Sequence, residues 1–486
     1  MTPSYKDFVA LRTRLNPCLS GLAEHLGSEH RNASTTVVID CHGQSPSEPV
    51  SVADADFSWL VNVRSQTTRL VFIENITPGL ISLVGEMLDV DPIFFANHVN
   101  TDLKDIEKSP PPPSVALLPS LISEKGHLHL HYQQVMSLGS AERFKEVAYS
   151  LKSDSNIRRN VRRLPPLSGK QLVLARACCS VFVKQINESY ICLFLVDPPI
   201  KAAIDTSKGL KKTYPVDPLH GGFEDFGPSS SFSSFSSFAG KSNDIWDNTS
   251  MFSSLLHYYR TYPPGFIPTK PTILGVGYYP VRIVLSEWSV YTLLISRYFK
   301  YYEYSLQDTT NRLHDNDIVD LQRWRRRSKQ SQNKLSMLAK FIDYWTQRED
   351  ERQHWEMVLD DIQHVRQQLE YYSQSLEQIV MVATSMVQLF DSRRSILEAI
   401  NVRRLTYIAL IFVPLSWVAS LFSMSDTYSP GHKNFWVYFA TALPLVVVVL
   451  LLSAIPYDRM KETLRRIWDW FASINTQKLR NEPSLA

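Results

Sequence analysis

The sequence is poor in the features that announce catalysis. Its 486 residues contain no phosphate-binding glycine loop, no Gly-x-Ser-x-Gly elbow and no His-Glu-x-x-His pair, so an enzyme is not indicated. Cysteine is scarce and badly spaced for chemistry. Cys18, Cys41, Cys178, Cys179 and Cys192 form no Cys-x-x-Cys pair, and their odd number argues against a closed disulfide framework. Buried, reduced thiols are expected. An excess of one charge is missing too: 51 basic against 48 acidic residues leave a net charge of +3, which gives no reason to expect a nucleic-acid partner. The first thirty residues lack an unbroken apolar core with a small-residue cleavage site, so the amino-terminal bulk is expected in the cytosol.

What the chain does have is two long uncharged runs near its end. Leu405 to Phe422 reads LTYIALIFVPLSWVASLF and Phe435 to Ile455 reads FWVYFATALPLVVVVLLLSAI. At 1.5 Å per residue they measure roughly 27 and 31 Å, the thickness of a bilayer's hydrocarbon core. Arg403 and Arg404 precede the first run, and Arg459, Lys461, Arg465 and Arg466 follow the second. Basic flanks on that side predict two spans with both termini cytosolic and a short external loop from Ser423 to Asn434. Which membrane holds them is not encoded. Pro414 and Pro444 interrupt the spans and call for neighbouring helices.

The remainder reads as an α+β cytosolic domain (1–280), a helical region with a long stalk (281–404), the spans and loop (405–455) and a cytosolic basic tail (456–486). TTVVID, RLVFIENI, HLHLHYQQVMSL, LVLARACCSVFVKQ and ESYICLFLVD read as strands, and ITPGLISLVGEMLDVDPIFFANHV as helices opened by the turn at Thr77-Pro78-Gly79. Polyproline at Pro110–Pro113 is read as a surface linker, and the Ser/Phe repeat near 228–240 as a disordered insertion. The basic patch Arg323 to Arg327 is read as a solvated or lipid-headgroup-facing surface.

From Trp355 apolar residues recur at steps of three and four through Val358, Ile362, Val365, Leu369, Tyr372, Leu376, Ile379, Ala383, Met386, Phe390, Leu397 and Ile400. Such a heptad seam serves equally a coiled coil between copies or a helix packed within its own chain. With no proline before Pro414, one helix is predicted to run from the cytosol through the first span. The same spacing continues as Val402, Leu405, Ala409, Val413, Ser416, Ser420 and Ser423, a stripe that turns small and hydroxylic towards its outer end. Close helix packing would use such a stripe, and so would a pore lining. Two spans per chain are too few to enclose a pathway, so transport would require a homo-oligomer.

The first span follows the pattern LTxIAxIFxPLSxxAxLFxM, and with the long stalk, short loop, second span and basic tail it resembles the CorA family of divalent-cation channels. The resemblance implies a homopentamer, a pore lined by the first span, membrane lipid around it, and Mg2+ or another divalent cation as the transported ion with no cofactor. It puts apolar gate positions on Val402, Leu405 and Val413, a polar ring on Ser416 and a small residue on Ser420. The family's Gly-Met-Asn signature falls on Ser423, Met424 and Ser425, of which only Met424 survives, and Asp426 follows as a candidate acidic ring. An oligomeric membrane-anchored scaffold or sensor that has lost conduction is the alternative. Two further groups are weighed: His127, His129 and His131, which alternate along one strand and are read as an exposed polar face rather than a zinc or nickel site, and the acidic clusters Glu349-Asp350-Glu351 and Asp360-Asp361, read as solvated helix surface rather than regulatory metal sites.

Overall fold

A computed structural model describes residues 4–29, 32–52, 60, 65–99, 118–144, 147–205, 211–219, 226, 247–307, 315–349, 352–424 and 431–454. The polyproline run, the Ser/Phe repeat and the basic tail lie outside them. The chain divides into two compact units, Met1–Ala383 and Thr384–Ala486.

Among the described residues, the first unit is built on a mixed twelve-stranded sheet. Its longest strands are β5 (Leu128–Ser140) and β8 (Lys170–Ile186), paired antiparallel along most of their length, while β8 pairs on its other edge with β7 (Asn160–Arg163) and β9 (Ser189–Val196). β9 runs parallel to β4 (Thr68–Glu74), which pairs antiparallel with β1 (Thr35–His42). The near-continuous apolar runs of β4, β8 and β9 arise because both sheet faces are covered. Val71, Ile73, Leu193 and Leu195 face helices α1 (Tyr5–Leu15), α2 (Ser20–Leu26), α3 (Pro78–Met87) and α4 (Pro92–Val99), whereas Leu70, Phe72, Cys192 and Phe194 face the opposite layer. There Phe72 stacks on Phe194 at 4.4 Å and both meet Tyr259.

Local chemistry sets the starts of these helices. Ser4 and Asp7 form a capping box for α1, and the Thr77 hydroxyl accepts from the Leu80 N–H with Pro78 in the first turn of α3, at the turn read from the sequence. Gly85 of α3 is a close approach: an added Cβ would stand 2.4 Å from the ring of Tyr5, whose hydroxyl donates to the Val90 carbonyl at 2.7 Å. Cys41, Cys178, Cys179 and Cys192 are buried and all five thiols are free, as expected.

The second layer comprises α5 (Pro119–Glu124), α6 (Met251–Tyr258), α7 (Ile273–Gln307), α8 (Asp315–Glu349) and the first half of α9 (Arg352–Phe422), one uninterrupted helix of 71 residues. Trp355, Val358, Ile362, Val365, Leu369, Leu376 and Ile379 are buried in the chain's own core with residues of α7 and α8. Of the two uses of the seam, packing within the chain therefore takes its first half. Phe390, Leu397 and Ile400 stay exposed. The basic patch meets the expectation only in part, with Arg323 and Arg326 exposed. Trp324 is buried, Arg325 pairs with Glu377, Arg323 pairs with Asp320 and lies 4.3 Å over the Tyr149 ring, and Arg327 donates to the Tyr149 hydroxyl. Most of the patch clamps elements of its own unit together, because an arginine beside a tyrosine or a carboxylate gains a charge-assisted contact that open solvent does not offer.

The second unit holds the outer half of α9 and, after a short 3-10 turn, α10 (Trp436–Ala454). Both carry windows long and apolar enough to cross a membrane, of which only 11% and 6% is buried inside the chain. A core helix of a water-soluble domain would be mostly covered, so the chain carries two carboxy-terminal membrane spans, as read from the sequence.

Candidate functional site

Two turns of α9 show how the first span is oriented. Pro414, Val418 and Ala442 are buried, and Phe422 meets Tyr438 edge-on at 6.1 Å, so the side carrying Pro414, Val418 and Phe422 is turned to α10. At about 100° per residue, Ser416, Ser420 and Ser423 point roughly 140–160° away from that side. All three are exposed. Val402, Leu405 and Val413 are exposed as well, but Val413 and Ala409 also border a groove of about 480 Å³ completed by Leu445 and Val449 of α10. The Ser416 hydroxyl donates to the Val413 carbonyl at 2.9 Å, which leaves its oxygen lone pairs directed outward.

Ser423 continues the helical ladder by donating its N–H to the Ala419 carbonyl, and Met424 closes the last turn with its side chain 84% exposed. Ser425 and Asp426, the remaining residues assigned to the outer mouth, lie outside the described residues.

His127, just before β5, and His129 and His131 within it are placed otherwise than expected. His127 is buried and His129 half-buried, with rings 5.4 and 5.2 Å from Phe94, and His127 also meets Phe182. They point into the helix layer rather than to solvent, because α4 and α5 cover this end of the strand. Burial pushes His127 down to about 4 and His129 to about 3, so both are neutral at pH 7. Among the described residues no group of three or more His, Cys, Asp or Glu side chains is placed to hold a metal ion. Asp360 and Asp361 are exposed, in keeping with solvated helix surface.

Beside these histidines lies a buried polar network that the sequence reading missed. Arg159 donates twice to Asp197, Nε to Oδ2 at 2.6 Å and Nη2 to Oδ1 at 2.8 Å, and the Cys178 N–H reaches Oδ2 at 2.7 Å. Ser180 Oγ bridges His98 Nδ1 and His129 Nδ1 at 2.9 and 2.8 Å. Nothing local joins residues 98, 129, 159 and 197; only the adjacency of β5, β8 and β9 in the sheet does. The one available signal was a charged residue, Asp197, at the end of an otherwise apolar strand.

The model of the family described as CorA-like Mg2+ transporter protein matches residues 291–457. Two solved structures are similar over most of both chains: the CorA magnesium transporter from Methanocaldococcus jannaschii (TM-score 0.36, 8% identity, 87% of this chain and 98% of that one) and the full-length CmaX protein (TM-score 0.36, 12% identity, 87% and 98%). No curated protein matches the chain by sequence.

Proposed function

We propose, from the match of residues 291–457 to the model of the CorA-like Mg2+ transporter family, that copies of this chain assemble as a homopentamer. The assembly passes a divalent cation, Mg2+ by family resemblance, down its electrochemical gradient. Each copy contributes one lining helix, the outer part of α9, and α10 stands behind it towards lipid. What carries this reading is the stripe Ser416, Ser420 and Ser423, exposed on the side of α9 away from α10. Hydroxyls in that position have a use where helices or water face them, and five copies around an axis supply both.

The parts then have separate tasks. Val402, Leu405 and Val413 form an apolar constriction that closes by excluding water. Ser416 and Ser420 offer oxygen atoms to an ion that keeps its water shell, which suits the reluctance of Mg2+ to dehydrate. Ser423, Met424, Ser425 and Asp426 form the outer mouth. A serine hydroxyl reaches less far than an asparagine amide, so this mouth is wider and depends more on the charge of Asp426. Basic residues on the inner flanks, Arg403 and Arg404 among them, keep both termini in the cytosol.

The loss of glycine and asparagine from the signature favours a second reading, an oligomeric anchor or sensor without conduction. Ion flux into liposomes containing the purified protein separates the two. Mg2+, Zn2+ and Ni2+ are compared, with Ser416→Leu as the blocked control. Flux at least about tenfold above that control is expected, since an apolar ring at this level removes the oxygens that face the ion. No flux above empty liposomes from a preparation shown to be oligomeric would rule out the channel.

A further inference from the structure

The first unit holds an apolar chamber of about 310 Å³ between β5, α5, α7 and α8, walled by Ile122, Leu130, Val284, Trp288, Leu338 and Phe341. It meets a polar cavity of about 360 Å³ at His131, Asn333 and Lys334, which line both. Two of the cations around the polar cavity are accounted for: Arg159 is engaged by Asp197, and Arg176 is engaged within the chain. Lys334 makes no side-chain hydrogen bond or ion pair among the described residues, and neither does the His131 imidazole beside it.

Burial, and after it the Arg176 charge, holds Lys334 down to about 8, so most of it stays protonated at pH 7. Burial, and after it the Lys334 charge, keeps His131 well below its ordinary 6.5 and neutral. The junction of the two cavities thus presents one positive charge and N–H donors from two side chains, with no acceptor from the described residues. A carboxylate answers that demand with one negative charge and two acceptor oxygens. A phosphate would bring a second charge for which the described residues at the junction hold no further free cation. The rest of the chamber sets what the carboxylate carries. His127 and His129 turn their rings to Phe94 and Phe182, and Asn333 and Lys340 are exposed. The enclosed walls are therefore mostly apolar and favour a body without a second polar group. A cavity of ~150 Å³ takes benzene, and twice that volume takes an unbranched chain of roughly eight to ten carbons.

We propose that this chamber binds a medium-chain fatty acid, with the carboxylate between Lys334 and His131 at the junction and the chain along Trp288, Leu338 and Phe341. The site belongs wholly to the first unit and goes beyond the transport reading; binding there stands or falls independently of conduction.

Photo-crosslinking of the full chain in detergent with octanoate carrying a terminal diazirine tests it, the labelled peptides being mapped by mass spectrometry. Label is expected on the α5 and α8 walls, around Ile122 and Leu338. Unlabelled octanoate should displace it at concentrations about tenfold or more below those needed of octanol, which lacks the charge, or of acetate, which lacks the chain. Lys334→Gln should raise the concentration for half-maximal labelling by about 10–100-fold, the loss of one charge-assisted contact. Lys334→Arg should keep most of the affinity, and Leu338→Trp, which fills the chamber, should abolish wall labelling. Because these variants risk misfolding, the unaltered protein supplies a second readout. An amine-reactive reagent should modify Lys334 more slowly when octanoate is present, while exposed Lys329 on the same helix is unaffected. No label on the chamber walls, as when residues 100–117 of the same chain or a second copy occupy the chamber, would overturn the proposal. So would octanol or inorganic phosphate competing as well as octanoate, no protection of Lys334, or unchanged labelling in a folded Lys334→Gln protein.

Discussion

A neutral histidine in a protein interior is a commitment to a pH range. Burial lowers His127 to about 4 and His129 to about 3, and pushes His98 and His131 well below the ordinary 6.5. Between the folded and unfolded values the unfolded chain binds more protons, so stability rises with pH through that window and falls as pH drops from about 6.5 towards 4. The thermal midpoint of the purified protein is therefore expected to decline steeply over that interval. His127→Gln, which cannot titrate, should flatten the decline. A midpoint independent of pH between 6.5 and 4 would show that these imidazoles are not buried as described. The same residues show where the sequence could mislead. Alternation of His with Leu128, Leu130 and Tyr132 reads as a strand with a wet face; β5 has the alternation, but α4 covers the other face as well. Period two reports a strand, not what covers it.

Elements differ in how far their sequence declares them. The strands β4, β8 and β9 were legible because both faces are buried and the runs are almost wholly apolar. The spans were legible because hydrocarbon tolerates nothing charged. The seam of α9 was legible as helix but not as to partner, since steps of three and four suit a neighbouring helix of the same chain as well as a second copy. In this protein the first half packs within the chain, and the exposed second half is the part available to a second copy. Leu369→Ala, within the core shared with α7 and α8, is expected to lower stability by about 2–5 kcal/mol by leaving a cavity. Leu397→Glu and Ile400→Glu, both exposed in the single chain, are expected to leave the thermal midpoint within a few degrees of the unaltered protein and to reduce the assembled fraction. Thermal unfolding and particle sizing in detergent, run on both sets, check the division; disassembly by Leu369→Ala without loss of stability would reverse it.

At the scale of the whole molecule, any substitution in a ring acts once per copy, so small chemical differences at the mouth are multiplied. The serines at 423 and 425 stand where the family resemblance implies glycine and asparagine. In the proposed pentamer, Ser425→Asn would lengthen five side chains and add five amide carbonyls able to accept hydrogen bonds from a hydrated ion. Ser423→Gly restores the backbone freedom that close packing at a helix end uses. If the present mouth is a wider and weaker version of the same filter, the double substitution is expected to raise Mg2+ flux relative to Ni2+ by about tenfold, about 1.4 kcal/mol of differential interaction. Asp426→Asn, which would remove the proposed acidic ring, should lower cation flux in the serine background and do so less in the restored one, because the proposed amide ring then carries part of the attraction. Equal loss in both backgrounds would mean that Asp426 works independently of the signature positions. No change in either would place selection deeper, at Ser416, where the hydroxyl already donates to the Val413 carbonyl and its lone pairs are what a passing ion's water shell would meet.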